Sequence, residues 1–259
     1  MVERRYDGEF YDEIDEWSRQ SAAAIVPWIV SAIAPASVVD VGCGRGAWLA
    51  AFKPCGIVDV LGLDGDYVDL ATLHIASDEF RAVDLSAPPV LDRTFDLAVS
   101  LEVAEHLPET SADSFVRFLT DAAPVVLFSG AIPGQGGVHH VNEQWPSYWA
   151  HRFQAHGHQP IDAIRPRFWN DSRVGYFFAQ NAMVYARGDL AAEVAMRLGS
   201  SFDPGREPLA LVHPKMLETI VQQSRDRRQA PSVSGLLKAL PAASRRAVRA
   251  RTSRRQPAG

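Results

Sequence analysis

Apolar positions along this chain switch between two periods, and the switches mark out its elements. Ser37-Val38-Val39-Asp40-Val41 reads as a buried strand, nearly continuous in apolar character as a parallel sheet requires. Ala47-Trp48-Leu49-Ala50-Ala51-Phe52 opens a helix soon after it. Val58–Leu63 predicts strand 2, residues 67–76 a helix, and Phe80–Val83 strand 3. Phe95–Leu101 predicts strand 4, and Pro124–Phe128 strand 5. Between them Thr110–Ala122 carries Phe115, Phe118 and Leu119 at helical spacing. Strands that alternate with helices in this way predict an α/β fold around a parallel, doubly wound sheet.

The two ends and the middle read less regularly. In residues 9–34, Ile14, Trp17, Ala24, Ile25, Trp28 and Ile29 share one helical side, and Pro27 is expected to break the segment in two. It reads as a cover packed on the sheet, with Tyr6 and Tyr11 within reach of a bound ligand. Gly130–Val138 is too rich in glycine for regular structure and suits a mobile loop. Asn142, followed by Glu143 and Gln144, reads as the start of a helix that ends near His156. Pro160–Arg165 and Gln180–Ala186 read as the closing strands. Phe168, Trp169, Tyr176, Phe177 and Phe178 lie between them, mostly as a hydrophobic cluster that lends one or two rings to a substrate pocket. The expected organisation is therefore a helical cover at 1–34, a core at 35–188, a helical extension at 189–229 and a tail at 230–259. Pro204, Pro208 and Pro214 interrupt the extension, and the tail is expected to be disordered.

Composition narrows the functional classes. The chain has 259 residues, 47% of them hydrophobic and 9% aromatic, enough for a packed core. Its formal charge is −5, but Arg245, Arg246, Arg249, Arg251, Arg254 and Arg255 sit together at the end, and removing those six charges takes residues 1–240 to −11. So acidic a body argues against nucleic acid as the partner, because neutralising phosphates supplies most non-specific affinity. Cys43 and Cys55 are the only cysteines, and a bridge at Cys43 would distort the glycine-rich turn around it, so free thiols in a reducing cytosol are expected. The first residues are polar, without a signal-peptide apolar segment. The longest apolar run, Ala22–Ala34, is short and broken by Pro27 and Ser31, so a soluble, cytoplasmic protein without a membrane partner is expected.

The chemistry centres on the turn after strand 1. Glycines at positions 42, 44 and 46 let the backbone turn sharply and approach a ligand, and the helix behind them points its free N–H groups at the turn. Gly42-x-Gly44-x-x-Ala47 satisfies the dinucleotide fingerprint, and Asp64 at the end of strand 2 stands where such a fold holds a ribose. A nucleotide-dependent oxidoreductase and a second kind of cofactor enzyme both fit this local pattern.

That second kind is the class I S-adenosylmethionine-dependent methyltransferase family, whose motif I the stretch Asp40-x-Gly42-x-Gly44-x-Gly46 resembles. Further matches follow in order. Asp64, with Gly65 after it, resembles the family's ribose-binding acid, and Asp84-Leu85 the position at the adenine edge. Ser100-Leu101-Glu102-Val103-Ala104-Glu105-His106-Leu107 resembles the strand-4 motif of its small-molecule members, with His106 as part of the cofactor wall. The resemblance covers about residues 37–130 and implies a Rossmann-like seven-stranded sheet of order 3-2-1-4-5-7-6, with the last strand antiparallel between two others. It implies S-adenosylmethionine as cofactor, with Asp40, Gly42, Gly44, Gly46, Asp64, Gly65, Asp84, Leu85, Ser100, Leu101, Glu102 and His106 around it. Against an oxidoreductase, no tyrosine is followed four residues on by one of the three lysines, Lys53, Lys215 and Lys238, so the short-chain Tyr-x-x-x-Lys pair is missing.

His140-x-Asn142-Glu143-Gln144-Trp145 is similar to a stretch of some bacterial small-molecule and sugar methyltransferases. Methylation of a neutral hydroxyl needs a base with a pKa near neutrality, which histidine supplies. His140 and His139 are the candidates, with Glu143 to orient the ring. The acceptor is read as a small molecule, a sugar or secondary metabolite, methylated on oxygen, with nitrogen as the alternative. Nucleic-acid amine methylation is disfavoured by the absence of an Asn/Asp-Pro-Pro-aromatic motif after strand 4. His139, His140 and Glu143 with Glu105 form an alternative set of ligands for a divalent metal, but magnesium-dependent relatives place aspartates where this chain has Leu101-Glu102-Val103-Ala104, so no metal is expected. The oligomeric state is open between a monomer and a homodimer.

Overall fold

The computed structural model describes residues 8–203 and 206–229. The arginine-rich tail and the reach of Tyr6 lie outside the described residues, as does the side chain of Tyr11. The chain divides into two compact units, Met1–Met216 and Leu217–Gly259.

In the first unit, seven strands form one sheet in the order β3-β2-β1-β4-β5-β7-β6. They are β1 (Ser37–Val41), β2 (Asp59–Asp64), β3 (Phe80–Ala82), β4 (Leu97–Leu101), β5 (Val125–Ser129), β6 (His158–Ile161) and β7 (Met183–Arg187). The first five pair in parallel, and β7 lies antiparallel between β5 and β6. Successive side chains of a strand point to opposite faces, and both faces here are covered. Val38, Leu97, Val99, Leu127 and Val184 enter one core with Ile25, Ile29, Leu49 and Phe178. Val39, Ala98, Val126, Phe128 and Tyr185 enter the other with Phe115, Leu119, Trp149 and Phe153. In that second core the rings of Phe153 and Tyr185 stack at 3.8 Å between centroids.

The helices are α1 (Gly8–Ile33), α2 (Ala47–Phe52), α3 (Ala112–Ala122), α4 (Pro146–Ala155), α5 (Ile164–Phe168), α6 (Tyr176–Asn181), α7 (Ala191–Arg197) and α8 (Pro214–Gln229). Five segments differ from the reading of the sequence for identifiable reasons. α1 runs unbroken through Pro27, because Pro27 and Ala23, whose carbonyl loses its partner, both face solvent. Residues 67–76 form only a 3₁₀ turn at Leu70–Thr72, since Ile75 alone is buried there and the Asp69 carboxylate captures the Ala71 N–H at 2.9 Å. α4 starts at Pro146, whose missing N–H costs nothing at the first helical position, and not at Asn142. The segment read as Pro160–Arg165 ends its strand at Ile161, where Arg165 turns back on Asp162 with bonds of 2.9 and 2.5 Å and starts α5. Likewise Gln180 and Asn181 close α6 before β7 begins.

α1 and α2 pack together on the first core, and the Ser21 hydroxyl of α1 accepts the Gly175 N–H at 2.9 Å, tying the cover to the start of α6. No described helix is long and apolar enough to cross a membrane. Cys43 and Cys55 are both free.

Candidate active site

The carboxyl ends of β1, β2, β4 and β5 place the predicted residues along one edge of the sheet, at the point where strand order reverses. Gly42, Gly44 and Gly46 all have positive φ, 85°, 53° and 81°, a backbone that side chains resist. Their surroundings differ. A Cβ on Gly42 would lie 2.3 Å from Val103, and one on Gly46 2.9 Å from Ile75. A Cβ on Gly44 would meet nothing within 4 Å, so this glycine opens onto free space where a ligand can approach the backbone.

Two acids frame that space. Asp40 is 2% exposed and its Oδ2 has no hydrogen-bond partner. Burial first, and the charge of Asp64 second, push its carboxyl well above the ordinary range. Asp64, by contrast, is fully engaged. Its Oδ2 accepts the Gly44 N–H at 2.7 Å, and its Oδ1 accepts the Gly65 N–H at 2.7 Å and the hydroxyl of the exposed Tyr67. The same acid thus shapes the glycine turn and holds a hydroxyl. Cys43 sits between them, buried, its thiol pushed far up by that burial and by both acids, which leaves no reactive thiolate.

The unpaired Asp40 makes a direct prediction. A carboxyl raised in the folded state holds its proton where the unfolded chain has lost it, so wild-type stability falls as pH rises above about 3.9, the unfolded value. Asp40→Asn should therefore melt higher than wild type at neutral pH without ligand, with the difference shrinking in acid, while cofactor affinity drops. Melting curves at both pH values check this; a lower melting temperature at neutral pH would assign Asp40 a structural bond instead.

Of the other predicted residues, Asp84 is exposed and its Oδ1 takes the Ser86 hydroxyl at 2.6 Å and N–H at 2.9 Å, while Leu85 is buried in the second core. Ser100 is fully buried with an unpartnered hydroxyl, and Leu101 is 9% exposed. Glu102 has φ 56°, a strained backbone for a residue with a side chain. Its carboxylate accepts from Gln135 Nε2 at 2.6 Å and from Asn181 Nδ2 at 3.0 Å. Burial nonetheless outweighs these bonds and raises its pKa.

Past β5 the chain turns through the glycine-rich loop and is gathered onto one side chain. Glu143 accepts the N–H of Gly134 at 2.8 Å and of Gly136 at 2.7 Å, and faces His140 Nδ1 at 3.0 Å. Burial opposes its charge, but the bonds from His140 and both glycines prevail and hold its pKa below the ordinary value. With Glu143 accepting, His140 carries its proton on Nδ1 and keeps a lone pair on Nε2. The ring packs so closely that a Cβ on Gly137 would lie 2.2 Å from Nε2. His106 stands edge-on to it, at 4.9 Å between ring centroids, with its pKa lowered by desolvation and then by His140. His139 is exposed at φ 59°, and it is His140 that meets Glu143.

Three neighbours escaped the sequence reading. Gln135 and Asn181 come from a glycine loop and from the end of α6, with only their polarity in apolar company as a signal. Tyr67 lies in what read as a helix. Glu105 entered the sequence reading only as an alternative metal ligand, and its full burial with both carboxylate oxygens unpartnered is visible only in three dimensions.

A family model described as a methyltransferase domain matches residues 14–170. No curated protein matches the chain. Among solved structures, it is similar to the sugar N-methyltransferase KedS8 from a Streptoalloteichus species, with TM-score 0.53 and 15% identity over 72% of this chain and 94% of that one. It is similar also to DesVI from Streptomyces venezuelae, with TM-score 0.52 and 16% identity over 69% and 95%. The third is CalS10, an amino pentose methyltransferase from Micromonospora echinaspora, with TM-score 0.50 and 17% identity over 72% and 100%.

Proposed function

The chain belongs to the methyltransferase-domain family, and we propose that it methylates a hydroxyl of a small molecule, a sugar or secondary metabolite, with the His140–Glu143 pair drawing off the proton. S-adenosylmethionine is its cofactor, which supplies a methyl group bound to a positively charged sulfur. The residues fit that group. Asp40 offers an unpaired buried carboxylate oxygen to a cationic ligand, Gly44 lets the ligand reach the backbone, and Asp64 offers acceptor oxygens to ribose hydroxyls in place of Tyr67. Ser100, Leu101, Glu102 and His106 complete the wall at the end of β4, with Gly65, Asp84 and Leu85 toward β2 and β3.

The observation that carries the reading is the 3.0 Å contact of His140 Nδ1 with Glu143, beside the same crevice. A carboxylate there fixes the tautomer and stabilises the ring as it gains a proton on Nε2. A hydroxyl acceptor needs that service, since its proton leaves as the O–CH₃ bond forms and the S–CH₃ bond breaks. An amine acceptor, as in the sugar N-methyltransferase of the same fold, attacks through its own lone pair. His139 plays at most a supporting part.

Two measurements test this. Calorimetry should show S-adenosylhomocysteine binding and NADH failing to bind; preference for NADH would return the chain to the oxidoreductases. A panel of hydroxylated and amino sugars, with products read by mass spectrometry, should show methyl on oxygen; transfer confined to amines would remove the need for the base.

A further inference from the structure

Beside the cofactor wall, a carboxylate oxygen of Glu105 and one ring nitrogen each of His106 and His140 all lie within 4.8 Å of one another. Among the described residues no other three such side chains meet this closely. We propose that these three bind a divalent transition-metal ion at which the acceptor's oxygen docks.

Glu105 is the independent argument. It is 0% exposed and neither carboxylate oxygen has a partner, although its backbone carbonyl accepts the N–H of Val141 at 2.8 Å and of Asn142 at 3.1 Å. Those bonds pin the His140 segment against Glu105. A buried carboxyl left unpaired is costly unless something cationic shares its site. Glu143 on His140 Nδ1 is the outer carboxylate that metal-bound histidines regularly have, and it leaves Nε2 to ligate. Ligands of one ion at bonds of about 2.0–2.2 Å stand closer together than the present spread, so small rotations must draw the trio in.

Two imidazoles and one carboxylate suit manganese, iron(II), cobalt, nickel or zinc better than calcium or magnesium, and three protein ligands leave positions open. This rests on the acceptor reading above and changes one agent within it. With Nε2 on the ion, His140 would have no lone pair for a proton; the ion would instead lower the pKa of the docked hydroxyl, whose proton would pass to solvent water as the O–CH₃ bond forms and the S–CH₃ bond breaks.

The test uses the full chain after dialysis against a chelator. Manganese(II) binding followed by electron paramagnetic resonance, and zinc(II) binding by calorimetry, should each show one ion per chain. Glu105→Gln and His106→Ala should weaken binding at least tenfold with far-UV circular dichroism unchanged, whereas His151→Ala on α4 should bind as wild type. No ion bound by wild type, or undiminished binding in both ligand variants, overturns the site. Variants that unfold are replaced by Glu105→Asp and His106→Gln, under the same criterion. Metal-free chain that still methylates a hydroxyl overturns the site and leaves the acceptor reading standing. Ion binding lost in the ligand variants, with methyl found only on nitrogen, upholds the site and overturns the hydroxyl.

Discussion

Replacing His140 by alanine is expected to lower turnover by about 10²–10⁴-fold, the range that a positioned acid–base group contributes, while cofactor affinity stays nearly unchanged. The split follows from where the side chain sits. His140 contacts Glu143 and His106, on the segments after β5 and β4, while the glycine turn and Asp64 lie at the ends of β1 and β2. The effect holds whether the imidazole works free or through a bound ion, since both need its Nε2. His139→Ala should lose much less, because His139 is exposed and outside the Glu105–His106–His140 trio. Steady-state turnover with saturating cofactor, set beside calorimetry with S-adenosylhomocysteine, separates the two parameters. Full activity in both single variants and in the double variant would remove histidine from the mechanism and point to an amine or an already acidic hydroxyl.

Asp64→Ala should have the opposite profile, with affinity for S-adenosylhomocysteine falling by about 10–100-fold. Each hydrogen bond to a charged group is worth about 1.5–3 kcal/mol, and each 1.4 kcal/mol is about tenfold in affinity. The structure enlarges the expected loss. The same carboxylate that would take ribose hydroxyls also accepts the Gly44 and Gly65 N–H groups, so its removal loosens the glycine turn. Turnover at saturating cofactor should suffer less than in His140→Ala. Undiminished affinity in a folded Asp64→Ala would show that the ribose is held elsewhere.

The local pattern of this sequence was sufficient for most of the architecture. Alternating apolar strands, the glycines after Val41 and the acid at the end of β2 specify their conformations within a few residues, because strand burial and positive-φ turns are properties of short segments. Its resemblance to a family supplied the antiparallel β7 and the strand order, which periodicity alone does not contain. Helix boundaries were less legible. Pro27 continues a helix because its position faces solvent, and Asn142 fails to start one because the Gln144 N–H it would cap is bonded to the Ala131 carbonyl and its own Oδ1 takes the Gln144 side chain.

What only the tertiary structure decided is which polar groups share a space. Nothing local distinguishes Glu105 from Glu102, yet one is buried without a partner and the other is held by Gln135 and Asn181, 33 and 79 residues away along the chain. That His140 and not its neighbour His139 meets Glu143 likewise required the loop to fold back through Gly134 and Gly136 onto that acid. Hydrophobic period is written into each segment, because every residue meets the same core on the same face. Partnership between charged groups is set by where separate segments end, and that is a property of the packed sheet.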